Sequence, residues 1–217
     1  LLSRFDEAGV ELNLLVTLRN PLTWLASFYL QTIQGQYIKH NKGLLFRGRP
    51  YLTLEEYAAR WTERRGSLGK KVNYLTNVRH AIETLGPERV GVVLFEELRS
   101  DADDYYRQIA NILNIDAEEA VALGKDRFSN LRLQQSELDF IRKTSKSPLL
   151  LLRWHLQDPK RRRARMREVA QLAHDDAPAK VKASDELLQK ITDATRDDLA
   201  WLNANLDPPF AKYGYPV

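Results

Sequence analysis

The segment LNLLVTLRNPLTWLASFY, residues 12–29, decides the fold class. Its first part, residues 12–18, is nearly continuous in apolar residues, which is typical of a parallel strand covered on both faces. Asn20 and Pro21 follow at once, and they suit the N-cap and the first position of a helix. Apolar residues then recur at helical spacing as far as Ile33. A strand that turns directly into a helix predicts an α/β unit.

A second unit of the same kind lies further along the chain. RVGVVLF, residues 89–95, is rich in valine and ends at polar residues. Ser100 and Asp103 follow in a pattern that resembles a capping box, which predicts a helix capped by Ser100. We therefore expect the α/β class, with a parallel sheet flanked by helices.

The region between these units combines a basic segment with two helical patterns. Residues 34–50 are basic and interrupted by glycines, which predicts a loop. A capping box at Thr53 predicts a helix through residue 61, and a second helix is expected over residues 72–85 before Gly86.

The C-terminal half has a mostly helical pattern from Gln134 onward. Ser184 is expected to cap a last long helix. One face of that helix carries the apolar and small residues Leu188, Ile191, Thr195, Leu199 and Leu202. The leucine run at residues 149–152 is short and fits a buried turn or strand. Residues 1–217 are expected to form a single domain.

Composition bounds the class of protein. Hydrophobic residues make up 43% and charged residues 29% of the chain, which is typical of soluble globular proteins. The absence of cysteine excludes disulfides and thiolate metal sites, and suits a reducing compartment such as the cytoplasm. A net charge of +4 favours an anionic ligand or acceptor but is too small to require nucleic acid.

The two predicted strands are too few for a sheet. Two parallel strands do not make a stable sheet alone. No further strand pattern follows downstream, so we expect the remaining strands before Leu1 and an incomplete fold in these residues. The alternative is that short downstream strands are too weakly patterned to be recognised.

The turn after the first strand is also a candidate anion site. Such a turn leaves backbone N–H groups at the helix tip, where the helix dipole attracts anions. Arg19 adds a forked guanidinium suited to phosphate. Ser27 carries a further hydroxyl, but at about two turns into the helix it lies beside the tip rather than on it, so the pattern alone does not select it. The alternative is a capped helix with a surface arginine and a serine that faces the core.

RNPLTWLASFY, residues 19–29, resembles the segment that binds the 3′-phosphate of the sulfate donor PAPS in sulfotransferases. The resemblance implies that Arg19 and Ser27 hold this phosphate and that the fold is of the P-loop-kinase-like type. VGVVLFEEL, residues 90–98, and the closing KYGYP, residues 212–216, match the family in the same order. The resemblance thus covers nearly the whole chain.

The resemblance also implies a reaction. A bacterial-type enzyme of this family transfers a sulfuryl group from PAPS to a hydroxyl or amine, here with a small molecule or carbohydrate as acceptor, and releases PAP without needing a metal. The family's phosphosulfate loop is not found, because Gly69-Lys70 and Gly124-Lys125 follow no strand. The loop and the catalytic base are therefore expected upstream of Leu1, and no catalytic residue is assigned.

Two rival functions remain open. The chain is alternatively a degenerate homologue that binds a nucleotide or anionic polymer without catalysis, which the missing loop favours. A nucleotide kinase of similar fold is the second rival. The residues upstream of Leu1 distinguish the enzyme from both.

Further basic residues are secondary candidates. Lys180 and Lys182 precede the last helix, near a nucleotide-binding loop of the family, which implies a cofactor role. KRRRARMR, residues 160–167, is a candidate for an anionic acceptor or nucleic acid, and its alternative is a solvated helix face. It contains no aromatic residue, so a base-stacking platform is not expected. For the protein as a whole, no nucleic acid is expected as a partner.

The predicted loop at residues 34–50 and the histidines complete the candidates. The loop cations suit an acidic acceptor, and they are Lys39, Lys42, Arg47 and Arg49. His40 lies among them and is a candidate acceptor contact, whereas His80 is expected to be a packing or surface residue. No spacing typical of metal ligands links the histidines, which are His40, His80, His155 and His174, so no metal is expected.

Overall fold

A computed structural model describes residues 7–9, 12–39, 51–65, 74–124, 133–173 and 177–217. The chain divides into two compact units. The first contains the residues up to Trp24, those between 65 and 129, and those from Leu188 to the end. The second contains residues 25–64 and 130–187.

A parallel pair of strands lies in the first unit. β1 spans Leu14–Leu18 and β2 spans Val90–Leu94, with Leu14 opposite Val90 and Leu18 opposite Leu94. Among the described residues these are the only strands, apart from an isolated antiparallel bridge between Gln134 and Pro178. Both strands and the α/β class were predicted and are confirmed.

Ten helices accompany the strands in the described ranges. In chain order they are α1 Pro21–Lys39, α2 Leu54–Arg65, α3 Tyr74–Leu85, α4 Glu97–Ser100, α5 Ala102–Leu113, α6 Ala117–Gly124, α7 Gln135–Lys146, α8 Pro148–His155, α9 Pro159–Leu172 and α10 Asp185–Leu206. Single 3₁₀ turns lie at Pro87–Arg89 and Ala211–Tyr213. None of the described helices is long and apolar enough to cross a membrane.

The core of the first unit joins the strands to α3, to the end of α10 and to the C-terminal tail. Its buried members are Leu18, Leu75, Val78, Ile82, Val90, Leu94, Leu199, Leu202, Phe210 and Tyr215. Gly91 permits α5 to approach β2 closely, because a Cβ atom at Gly91 would lie 2.3 Å from Cγ2 of Ile112. The tail is thus part of the core that supports the strands.

The second unit is helical, and aromatic residues join its elements. The Trp154 ring of α8 stacks on Tyr37 of α1 at a centroid distance of 4.8 Å and donates its Nε1 hydrogen to the Tyr37 carbonyl oxygen at 3.0 Å. The Tyr29 hydroxyl donates to the Leu52 carbonyl oxygen at 2.6 Å. Helix α7 packs against both α8 and α9.

Most helix starts agree with their predicted caps. Asn20 Oδ1 accepts from Leu22 N at 2.9 Å, and Ser184 Oγ accepts from Leu187 N at 3.3 Å. Thr53 Oγ1 accepts from Glu56 N at 3.2 Å, and the Glu56 carboxylate accepts from Thr53 N at 2.9 Å. These local signals were sufficient because each cap lies within three residues of its partner.

Three predictions of local structure were wrong. Helix α1 does not stop before Gly35 but continues to Lys39, because Tyr37 and Ile38 are buried in the second unit. Asp101, rather than Ser100, caps α5, and its Oδ1 accepts from Asp104 N at 3.0 Å. The leucine run at residues 149–152 forms part of helix α8, and most of it is exposed.

Candidate anion site at the carboxyl ends of the strands

Arg19 leaves the carboxyl end of β1 beside Phe95, which leaves the carboxyl end of β2. Phe95 N donates to the Leu18 carbonyl oxygen at 2.7 Å and so extends the strand pairing by one residue. The Arg19 guanidinium carbon lies 4.7 Å from the centre of the Phe95 ring, within the range of a cation–π contact. Phe95 therefore gives the half-buried Arg19 side chain a preferred position.

Asn20 is buried and joins three parts of the chain. Its Oδ1 caps α1, and its Nδ2 donates to the carbonyl oxygens of Tyr213 at 3.0 Å and Gly214 at 2.9 Å. The side-chain oxygen and the side-chain nitrogen of Asn20 therefore both bond to backbone groups. Asn20 thus fixes the C-terminal tail to the turn that carries Arg19.

The backbone N–H groups at the tip of α1 already have acceptors. Pro21 has no N–H, Leu22 N donates to the Asn20 side chain, and Thr23 N donates to the Asn20 carbonyl oxygen at 3.1 Å. Trp24 N donates to the same carbonyl at 2.9 Å. The prediction that this tip offers free N–H groups to an anion was wrong, because the predicted cap itself uses them. Arg19 is left as the charged donor at this turn.

Glu96 ties both strand ends to the tail. Its Oε1 accepts from Asn20 N at 3.1 Å, and its Oε2 accepts from the Tyr215 hydroxyl at 2.9 Å. Burial and, to a smaller extent, the negative charge of Glu96 raise the pKa of Tyr215. Tyr215 therefore stays protonated at neutral pH and can donate to the carboxylate.

Tyr74 holds the backbone of Arg19 from the other side. Its hydroxyl donates to the Arg19 carbonyl oxygen, and its ring lies 5.7 Å from that of Trp24. Burial and the Glu96 carboxylate raise the pKa of Tyr74, whereas the Arg19 guanidinium opposes them. Tyr74 is thus a neutral hydrogen-bond donor that positions the arginine.

The arrangement presents one preorganised guanidinium at the carboxyl ends of two parallel strands. The Arg19 backbone is fixed by Tyr74 and flanked by the anchored Asn20, and its side chain lies over Phe95. Ligands of open α/β sheets bind outside the carboxyl ends of the strands. A planar fork held in place is suited to phosphate, sulfate or carboxylate groups, which accept two parallel hydrogen bonds.

The structure describes the predicted cofactor residues in different units. Arg19 belongs to the first unit, whereas Ser27, Lys180 and Lys182 belong to the second. Ser27 is half-buried on α1. Lys180 and Lys182 are exposed in the segment before α10, as predicted, where Ala179 N donates to the Leu133 carbonyl oxygen at 2.8 Å.

The basic run at residues 160–167 lies on α9, as expected, but not all of it is solvated. Arg162 is fully buried beside the buried Met166 on the inner face of the helix. Its Nε donates to the Gln157 carbonyl oxygen at 3.0 Å, and burial lowers its pKa. The prediction of a solvated face holds for the neighbouring arginines and was wrong for Arg162.

Several candidates lie outside the described residues or have side chains that are not described. The former are His40, Lys42, Arg47, Arg49, Gly69, Lys70, Lys125 and His174, and the latter are Lys39 and His155. His80 lies exposed on α3, which confirms a surface position. Among the described histidines, aspartates and glutamates, no group of three is placed to hold a metal ion.

Three residues that were assigned no role from the sequence join this turn to other parts of the chain. Glu96, Tyr74 and Tyr215 make contacts that span 55 to 119 residues of sequence. No local pattern signals such contacts.

No protein-family model, curated protein or solved structure matches the chain.

Proposed function

We propose that this protein is a PAPS-dependent sulfotransferase in which Arg19 binds the 3′-phosphate of the donor nucleotide. The observation that carries the proposal is the position of Arg19, over the Phe95 ring at the carboxyl ends of β1 and β2. The order of the segments that resemble the family adds to it. Ser27, Lys180 and Lys182 are the further donor-binding residues that the resemblance implies.

In the proposed reaction, these residues bind the donor nucleotide and stabilise its charge. Sulfuryl transfer, like phosphoryl transfer, depends on positioning and on stabilising charge during an in-line displacement. Arg19 would select a nucleotide with a 3′-phosphate over one without it. The proposed acceptor is a hydroxyl or amine of a small molecule or carbohydrate.

The test is binding of PAP and of 5′-AMP to the full-length protein by calorimetry. PAP carries the 3′-phosphate and 5′-AMP lacks it, so we expect PAP to bind about tenfold to a hundredfold more tightly, as for a lost charge-assisted contact. Arg19→Ala should remove this preference, and Arg19→Lys should restore only part of it because lysine lacks the fork.

Arg99 provides a matched control. It also lies near the Phe95 ring, at 5.8 Å, but its side chain is exposed on α4. Arg99→Ala should leave the preference for PAP unchanged. Equal affinity for PAP and 5′-AMP, or equal losses in the Arg19 and Arg99 variants, would contradict the 3′-phosphate role.

Turnover separates the enzyme from its rival. Transfer of labelled sulfate from PAPS to a phenol or sugar acceptor supports the sulfotransferase. A preference for PAP without any transfer supports the homologue that binds the nucleotide but does not catalyse.

A further inference from the structure

One face of α8 exposes a stripe of leucines. Leu149 and Leu152 of α8 and its C-cap residue Leu156 follow one another at helical spacing of three and four residues, and their exposed fractions are 74%, 58% and 80%. The opposite face carries Trp154, which is buried against Tyr37. Helix α8 is therefore apolar on both faces, and only one of them is used within the second unit.

Exposed cations lie close to this stripe along the chain. Arg153 follows Leu149 by four residues and so lies beside it on the same face of α8. Lys146 ends α7 three residues before Leu149, and Lys160 lies in the first turn of α9 four residues after Leu156. Within the described ranges, no ion pair involves Lys146, Arg153 or Lys160.

The chain length limits how far these charges lie from the leucines. An extended residue spans at most about 3.6 Å, so the Lys160 Cα lies within about 14 Å of the Leu156 Cα and the Lys146 Cα within about 11 Å of the Leu149 Cα. A lysine side chain is long enough to place its ammonium group beside a neighbouring apolar surface. The leucines and Arg153 thus share one helix face, and the two lysines lie close to it along the chain.

We propose that this surface, made of Leu149, Leu152, Arg153 and Leu156 with the flanking Lys146 and Lys160, binds peripherally to an anionic lipid bilayer. The leucines would enter the boundary between headgroups and acyl chains, and the cations would lie at the level of the anionic headgroups. An anionic polymer such as RNA would use the cations but has no apolar phase for three aliphatic side chains.

Charge complementarity decides between this partner and others. A purely apolar partner gives no role to the three exposed cations near the stripe. A bilayer rich in phosphatidylserine satisfies both components, because polybasic segments gain affinity for each cation near the surface and apolar side chains gain affinity by leaving water.

The experiment is co-sedimentation of the full-length protein with phosphatidylcholine vesicles, with and without phosphatidylserine. We expect binding to the vesicles that contain phosphatidylserine, and a loss of binding as salt is raised. The double variant Leu152→Ser with Leu156→Ser should bind about tenfold less tightly. Arg153→Gln should bind about fivefold less tightly.

Leu123 is the matched control for the leucines. It lies on α6 in the first unit and has the same exposed fraction as Leu152, 58%. Leu123→Ser should bind the vesicles like the unchanged protein. Denaturant unfolding of each variant checks that the fold is retained, since all three leucines are exposed.

Five results would overturn the proposal. The first three are no binding to phosphatidylserine vesicles, equal binding to vesicles without it, and unchanged binding of the double leucine variant. The fourth is a dimer in light scattering that the double variant abolishes. The fifth is that the protein and the double variant bind RNA equally well and that RNA displaces both from the vesicles. PAP binding is measured separately, so neither proposal depends on the other.

Discussion

The strand ends of the first unit and helix α8 of the second distribute polar and apolar groups in opposite ways. At the strand ends, the buried Asn20 and the half-buried Glu96 are hydrogen-bonded to other parts of the chain. On α8, leucines face solvent, and on the following helix Arg162 is fully buried. Buried polar groups that are satisfied specify one arrangement, whereas exposed apolar groups leave a surface that can be covered.

This contrast makes the first region a positioning device and the second a candidate interaction surface. The free energy that fixes Arg19 comes from residues distant in sequence, which hold its backbone from two sides. The leucines of α8 contribute little to the stability of the second unit, because burial rather than composition determines the hydrophobic contribution. Three predictions test this contrast, from the largest expected effect to the smallest.

The largest effect is expected from the buried face of α8. Trp154→Ala removes a ring that stacks on Tyr37 and an Nε1–H that donates to the Tyr37 carbonyl oxygen. We expect the free energy of unfolding to fall by about 3–5 kcal/mol. Leu152→Ala, on the exposed face of the same helix, should change it by no more than about 0.5 kcal/mol. Urea unfolding measures both, and similar losses would show that the two faces do not differ.

The second effect concerns Asn20. Asn20→Ala removes the cap of α1 and two donors to the C-terminal tail, so we expect a loss of about 2–3 kcal/mol in the free energy of unfolding. Asn20→Ser should lose less, because serine keeps a capping oxygen but cannot donate to both tail carbonyls. Guanidinium unfolding measures these values.

An exposed asparagine serves as the control for Asn20. Asn205 donates its Nδ2 hydrogen to the Trp201 carbonyl oxygen near the end of α10. Asn205→Ala should cost no more than about 0.5 kcal/mol. Equal losses at the two positions would mean that the links to the tail do not add stability, and the first region would lose its distinction from an ordinary capped helix.

The local part of this architecture was readable from the sequence. The caps at Asn20, Thr53 and Ser184 and the two strands depend on residues close together in the chain. What was not readable depends on distant contacts. The hydroxyl that bonds to Glu96 belongs to Tyr215, which lies 119 residues further along the chain. Gly35 stays helical because burial of Tyr37 and Ile38 outweighs the roughly 1 kcal/mol helix penalty of glycine.

The leucine run of α8 shows the same limit, because a buried segment was predicted and an exposed one is found. Four leucines at residues 149–152 predicted burial because apolar runs are usually covered. Only one face of a short helix can meet α7, and Trp154 occupies it. For the site, Arg19 was predicted from its place after a strand together with the family resemblance, and its ligand role stays a prediction. The contacts by which Phe95, Tyr74 and Glu96 hold this turn come only from the fold.

The smallest effect is expected at Tyr215 and depends on pH. Its hydroxyl donates to the charged Glu96, so Tyr215→Phe should lower the free energy of unfolding by about 1.5 kcal/mol at neutral pH. The pKa of Tyr215 is raised in the folded protein by burial and by Glu96, above the value of about 10 of an unfolded chain. The neutral form therefore contributes stability that is complete below pH 10.

Above about pH 10 the unfolded chain releases this proton while the folded protein retains it, so the contribution is lost as pH rises towards the folded pKa. Tyr215→Phe should thus be less stable than the unchanged protein at neutral pH but lose less stability on going above pH 10. Tyr213→Phe is the control, because the Tyr213 hydroxyl contacts the neutral Ser100 hydroxyl at 3.1 Å. Parallel pH profiles for all three proteins would mean that Glu96 does not hold the tail through Tyr215. Of the side-chain hydrogen bonds described above between the strand ends and the tail, those of Asn20 would then be left.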